Sequence, residues 1–190
     1  MIPFIFVTQS ADKFREAERL LGFTVEHRDI DLPEIQAVDG EEVVTDKVRL
    51  AYAQVKAPVM IEDTGLYIQT WNGLPGALVK WFLQRVGPEG ICKMLQPYPD
   101  RSAKAKTIVA TYDGHGEPGI FVGEVTGQIA ALPYGDGGFG WDALFIPDGA
   151  QQTFAEMGPE EKDRYSMRRL AFEAMRDYYS RAANPKKERR

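Results

Sequence analysis

The stretch Pro3-Phe4-Ile5-Phe6-Val7-Thr8-Gln9-Ser10-Ala11-Asp12-Lys13 sets the frame of the fold. Its apolar half, Pro3 to Thr8, is short and unbroken, the pattern of a buried strand. Ser10 then offers a side-chain cap for a helix through Leu21. Phe14, Ala17 and Leu21 share one face of that helix, and Gly22 is its stop. Where a strand turns straight into a helix, the backbone N–H groups of the helix N-terminus point outward and favour an anion. Lys13 in the first turn opposes the helix dipole, a penalty that a phosphate held between the helix end and the lysine would reverse. The plainer alternative is a solvent pair with Asp12 or Glu16.

Outward from that stretch the alternation continues. Phe23 to Arg28 reads as a second strand, and a polar loop from Asp29 to Gly40 leads to a helix from Glu41 to Lys56. Val44, Val48, Ala51 and Val55 repeat along one face of it. Val59 to Ile61 is a third apolar strand ending at Glu62-Asp63-Thr64-Gly65. Strands alternating with helices predict an α/β domain. Further on, Leu78 to Val86 and Gly90 to Leu95 look helical, and Pro97 to Pro99 ends them. Residues 102–113 and 119–132 flank Asp113-Gly114-His115-Gly116, which predicts a hairpin. A closing helix is expected from Ser166 to about Arg181, with Leu170, Ala174, Met175 and Tyr178 facing inward. Residues 1–183 read as one domain with two lobes and a cleft, and 184–190 as a polar, disordered tail.

Of the 190 residues 44% are hydrophobic, enough for a proper core. A net charge of −5 argues against a general binder of nucleic acid or anionic membrane. An acidic protein that handles a polyphosphate would instead gather a few cations in one cleft and use a divalent metal. The single cysteine, Cys92, excludes an internal disulfide and fits a reducing compartment. No apolar run approaches the length of a membrane span, and Lys13 and Arg15 interrupt any signal peptide. The expectation is a soluble, cytoplasmic protein.

Two acids stand side by side at Glu62-Asp63. Such a pair is costly to bury unless paired or bound to a cation. Mg²⁺ suits the position, because it takes one or two carboxylates plus substrate phosphates, and one carboxylate can also deprotonate an attacking water. Successive strand side chains face opposite ways, so one of the two is expected to face the cleft. Glu34, in Leu32-Pro33-Glu34, is a further candidate ligand. The segment Gly137-Gly138-Phe139-Gly140-Trp141-Asp142 joins glycines that permit close backbone approach, two aromatic faces suited to a planar base, and a carboxylate able to accept from ring N–H groups. Its plainer reading is a strand entered through a glycine turn, with Phe139 and Trp141 as core. Lys47, Lys80, Lys162, Arg168 and Arg169 are cations without obvious partners. His27 and His115 sit near no nucleophile, so a triad or zinc site is not expected. Neither a Walker A motif nor a Gly-x-Gly-x-x-Gly after the first strand is present, which excludes a P-loop ATPase and a Rossmann oxidoreductase.

Taken together these segments resemble the inosine triphosphate pyrophosphatase (Ham1-like) family from Phe4 to about Ala174. The motifs that carry the resemblance are Thr8 to Lys13 with Glu16, Leu32-Pro33-Glu34, Glu62-Asp63-Thr64-Gly65-Leu66, Gly73-Leu74-Pro75-Gly76, Lys80-Trp81-Phe82, Phe139-Gly140-Trp141-Asp142, Thr153-Phe154-Ala155-Glu156-Met157, and Lys162 with Ser166 and Arg168. The resemblance implies a two-lobed mixed sheet flanked by helices, a central nucleotide cleft and a homodimer. It also implies Mg²⁺-dependent cleavage of purine nucleoside triphosphates bearing a 6-oxo base, ITP, dITP and XTP, to monophosphate and pyrophosphate. By motif match Asp63 would ligate the metal and activate water, with Glu34 and Glu62 around the metal. Thr8, Ser10, Lys13, Lys47 and Lys80 would hold the triphosphate. Phe139, Gly140 and Trp141 would border the base, and Asp142, Lys162, Met167 and Arg168 would select it.

Two departures from the family pattern bear on base choice. Thr8-Gln9-Ser10 stands where the family reads Thr-Gly-Asn, and Ser166-Met167-Arg168 stands where it reads Ser-His-Arg. Two alternatives therefore stay open. One keeps the cleavage with an altered base in a specialised pathway; the other is a nucleotide-binding sensor without turnover.

Overall fold

In the computed structural model, which describes residues 4–182, β1 (Ile5–Val7) runs into α1 (Ala11–Leu21). Ser10 Oγ accepts from the Lys13 N–H at 3.2 Å, and Gly22 ends the helix at φ 70° in the left-handed region. The tail read as disordered, 184–190, lies outside the described residues. The strand expected over 23–28 contracts to β2 (His27–Arg28). With three residues in β1, only Phe6 and Val7 are left to pair with it. α2 (Gly40–Val55) is capped by Asp39, which accepts from the Glu41 N–H, and it buries Val44, Val48 and Ala51 as expected.

The main departure comes at β3 (Val59–Ile68). The apolar run ends at Ile61, yet the strand continues straight through Glu62-Asp63-Thr64-Gly65. The cause is non-local: β5 (Ser102–Tyr112) pairs antiparallel with all of it, from Val59 opposite Tyr112 to Ile68 opposite Ala103. That ladder satisfies the backbone whatever the local propensity of the acids. The expected hairpin forms between β5 and β6 (Gly119–Ile129), and β7 (Phe145–Pro147) closes the far edge. The sheet order is β2-β1-β3-β5-β6-β7, with β4 (Pro75–Gly76) paired to β3. β1 is parallel to both neighbours and the other pairings are antiparallel. The result is a seven-stranded mixed sheet flanked by helices, as the sequence implied.

α3 (Val79–Met94) is broken at Gly87 (φ 68°, ψ 174°) before Pro88, so the two helical pieces of the sequence form one bent element. A short α4 (Pro159–Arg164) precedes α5 (Met167–Ala182). α1 and α5 cover one face of the sheet, where Phe6, Met60, Val109 and Phe121 meet Ala17, Ala171, Phe172 and Met175. α2 covers the other face, over Val7, Ile61 and Ile108. A third cluster joins Leu66 and Ile68 to Ile91, Trp141, Phe145 and Phe154.

α5 is rotated from the expected phase. Met175 is buried as expected, but Leu170 is half-buried, Ala174 is exposed and Tyr178 is 59% exposed. The buried face is Met167, Arg168, Ala171, Phe172 and Met175. An apolar count treats arginine as solvent-facing, and here Arg168 belongs to the inside. The helix sits close because β6 has no side chain at Gly123: a Cβ there would strike the Met167 carbonyl oxygen and come within 2.6 Å of the Ala171 nitrogen. Gly123→Ala is expected to cost roughly 1–3 kcal/mol by overpacking. Because α5 begins with Met167 and Arg168, the substitution should also disturb the cleft. Urea denaturation checks the first effect; an unchanged midpoint would mean that α5 shifts freely.

Candidate active site

Alternation along β3 separates the two adjacent acids. Met60 belongs to the α1/α5 side and Ile61 to the α2 side. Glu62 therefore points toward α1 and α5, and Asp63 toward α2. A cavity of about 640 Å³ opens over this end of β1 and β3. It is bordered by Thr8, Ser10 and Lys13 from the β1–α1 turn, by Glu34 and Lys47, by Glu62 and Asp63, and by Lys80. Phe139, Gly140, Trp141, Asp142, Met167 and Arg168 complete it. Lys162 is the one expected site residue that does not border it; it lies behind Asp142 and is buried.

On the α2 side, Glu34 pairs with Lys47, and Lys13 Nζ stands 3.7 Å from Asp63 Oδ1. Asp63 is largely buried and, among the described residues, its carboxylate accepts no hydrogen bond within 3.5 Å. Burial raises its pKa; Lys13 opposes this, and the like charges of Glu62 and Glu34 reinforce it. Glu34 is held in place through its loop. The Ala77 N–H donates to the Val38 carbonyl at 3.0 Å, and Gly76 leaves room for Val38, whose Cγ1 would lie 2.8 Å from any Cβ at 76. Trp81 Nε1 donates to Gln36 across the cleft, which ties the same loop to α3. Lys80, next along α3, is exposed, with Nζ 5.9 Å from the Trp81 ring centroid.

The α1/α5 side carries what the sequence did not disclose. Arg168 Nε donates to Glu62 Oε2 at 2.9 Å, and its Nη1 donates to Glu16. Glu16 Oε1 also accepts from Lys162 Nζ at 2.8 Å, and Lys162 donates to Asp142 Oδ2 at 2.7 Å. Lys13 Nζ lies 3.3 Å from Glu62 Oε1. Three cations and three carboxylates thus form one buried chain from the β1–α1 turn to the aromatic loop. Burial opposes ionisation of Glu62, but Arg168 and Lys13 outweigh it and hold its pKa at about 2. Its contribution to stability is therefore complete above its ordinary value of 4.5 and is lost only as pH falls toward 2. Thr64 Oγ1 donates to Glu62 and lies 2.9 Å from Thr107 Oγ1 on the partner strand. The Glu62 oxygens are engaged by Arg168, Thr64 and Lys13, on the face of β3 opposite to Asp63.

The aromatic loop is also tightly folded on itself. Its glycines mostly let the chain approach itself. A Cβ at Gly138 would collide with Asp142, and one at Gly137 would lie 2.7 Å from the Ala155 carbonyl oxygen. Gly140 alone of the three has open space around it, at φ 64°. Asp142 Oδ2 accepts from the Phe139 N–H at 2.8 Å, so the carboxylate offered as a base contact also fastens the loop. Trp141 is 6% exposed and packs on Phe145 and Phe154, at centroid distances of 5.7 and 6.3 Å. Phe139 is more open; Lys162 Nζ and Arg168 Cζ lie 4.9 and 5.5 Å from its ring centroid. Met167 is 2% exposed and joins the Trp141 cluster.

Glu16 was the functional candidate without an assigned role. Its signal is that Lys162 and Arg168 are cations without obvious partners, while Glu16 lies one helical turn from Lys13. Among the described residues no group of three His, Cys, Asp or Glu is arranged to hold a metal by itself. No described helix is long and apolar enough to cross a membrane.

Fold and cavity together define a mixed α/β protein with an acid- and lysine-lined cleft between its helical layers. The chain belongs to the Ham1 family, whose profile matches residues 4–178. It is 40% identical to the inosine triphosphate pyrophosphatase of Schizosaccharomyces pombe, over 95% of this chain and 96% of that one. It is 38% identical to the dITP/XTP pyrophosphatase of Methanopyrus kandleri, over 92% and 95%. Among solved structures, a HAM1 protein from Coxiella burnetii superposes with a TM-score of 0.79 at 26% identity, covering 95% of this chain and 99% of that one.

Proposed function

We propose that the chain is a Mg²⁺-dependent hydrolase that cleaves aberrant purine nucleoside triphosphates, ITP, dITP and XTP, to monophosphate and pyrophosphate. The observation that carries this reading is Asp63: a carboxylate facing a cleft beside Lys13, Lys47 and the α1 N-terminus, with its pKa raised by burial and no hydrogen-bond donor to it among the described residues. Asp63 and Glu34 are hard oxygen donors on one side of the cleft, which suits a cation that completes its shell with phosphate and water. They would hold Mg²⁺, which would neutralise charge on the departing pyrophosphate.

The protein's own groups do the rest. Asp63 orients a water and takes its proton. Lys13, Lys47 and Lys80 draw negative charge toward the β and γ phosphates, while the first turn of α1 offers backbone N–H groups to the same oxygens. Ser10 serves here despite departing from the family pattern. Its oxygen accepts the capping bond from Lys13, and its O–H stays free to donate. Phe139 and Gly140 take the base face, with Trp141 as the wall behind it. Arg168 and Asp142 lie at its edge, with Lys162 held behind Asp142, and donor-only cations there favour a 6-oxo group over the amino group of adenine. Met167 adds surface without a donor, which leaves discrimination to those three. The working unit we assign is residues 1–183 as one two-lobed domain, acting as a cytoplasmic homodimer. Light scattering tests the dimer.

A panel of ribo- and deoxynucleoside triphosphates tests the function, read as kcat/KM with products identified. Inosine and xanthosine forms should lead adenosine triphosphate by about a hundredfold, or about 2.7 kcal/mol. Chelation should abolish turnover, and Mg²⁺ should restore it. A flat profile would favour the altered-base alternative, for which the buried Met167 speaks. Tight binding without turnover would remove the enzyme.

A further inference from the structure

We infer that Arg168 governs how freely Lys13 can meet a phosphate, acting through Glu62 and without touching the triphosphate. The inference rests on the functional reading above. Lys13 Nζ lies 3.3 Å from Glu62 Oε1 and 3.5 Å from the Glu62 carbonyl oxygen, a loose hold on both. Arg168 grips the same carboxylate at two points, with Nε 2.9 Å from Oε2 and Nη2 3.4 Å from Oε1. Thr64 donates to Oε1 as well. That oxygen is therefore shared by three donors, and Lys13 is the one nearest the opening. Its side chain is 20% exposed, against 2% for Arg168.

The consequence follows from charge. A carboxylate buried this completely must have a cation. While Arg168 supplies it, Lys13 is left with a residual attraction and its remaining N–H donors can turn to phosphate. Without Arg168, Lys13 becomes the counter-ion of Glu62 and is drawn inward. Glu16 pins Arg168 from the far side through Nη1, which keeps the grip on Glu62 in place. Arg168 also lies beside Phe139. One carboxylate thereby links the loop proposed to hold the base with the lysine proposed to hold phosphate. Arg168 is in this respect a positioning residue.

Pyrophosphate has no base, so its affinity isolates the effect. Calorimetric titration with pyrophosphate and Mg²⁺ should find Arg168→Ala binding roughly five- to tenfold more weakly than the unaltered protein. Glu62→Gln added to Arg168→Ala should return affinity to within about twofold, because position 62 then carries no charge to draw Lys13 inward. Arg168→Lys, which keeps the charge but loses the two-point grip, should show a smaller loss and serves if the alanine variant does not fold. Unchanged affinity in both Arg168 variants overturns the inference, as does a loss that Glu62→Gln fails to rescue. An unaltered protein that neither cleaves ITP nor binds pyrophosphate overturns the functional reading and this inference together. One that cleaves ITP while its Arg168 variants bind pyrophosphate normally overturns only the inference.

Discussion

Asp63→Asn is expected to lower kcat for ITP by roughly a thousandfold or more while nucleotide affinity stays within a few fold. Asparagine preserves the shape and one acceptor oxygen, but it cannot take a proton and is a poor ligand for a hard cation. The same substitution should stabilise the fold in the presence of a chelator. Burial raises the Asp63 pKa in the folded state, so the fold disfavours the charged form. That destabilising contribution is complete above the folded pKa and disappears below the unfolded value of about 3.9. Asp63→Asn should therefore melt higher than the unaltered protein at neutral pH, with the gain fading as the buffer is taken down toward about pH 4 and absent below it. Kinetics and thermal melts on one preparation read both effects. Retained turnover would remove Asp63 from the chemistry, and lost turnover with a lower melting point would indicate simple damage.

Glu16→Ala should produce the largest loss of stability. Glu16 bridges Arg168 and Lys162, and all three side chains are buried or nearly so. Removing the bridge leaves two buried cations short of a partner, a change worth roughly 3–5 kcal/mol. For a chain of this size that is a fall in melting temperature on the order of 10 °C. Urea denaturation gives the free energy directly. A loss below about 1 kcal/mol would mean that water or rearrangement replaces the carboxylate, and that the chain of charges is not structurally tight.

Much of this molecule is legible without coordinates. The strand-to-helix turn at Thr8–Ser10, the α2 stripe of Val44, Val48 and Ala51, and the hairpin at Asp113–Gly116 all depend on neighbours close in sequence. Capping, helical period and turn chemistry act over a few residues, so a local reading recovers them. Fourteen of the fifteen expected site residues also border one cavity, with Lys162 behind it. The errors share a cause. β3 was cut short at Ile61 because its continuation depends on β5, some forty residues later. The buried face of α5 is rotated from the apolar stripe because Arg168 lies on it, held there by Glu16 and Glu62. That Trp141 packs on Phe145 and Phe154 as well as bordering the cleft is likewise decided only by folding.

By itself, then, the sequence determined the order of the longer strands and helices, and its family motifs pointed to the polar groups that border the cleft. It also determined that Glu62 and Asp63 must point to opposite sides of a strand, since pleating alternates side chains whatever surrounds them. Tertiary structure alone decided which side each acid faces. It turned Glu62 inward to Arg168, 106 positions away, and left Asp63 facing the cleft with Glu34 and Lys47. The strengths of such charges depend on burial and on partners 106 to 152 positions distant, and no local pattern in the chain encodes either.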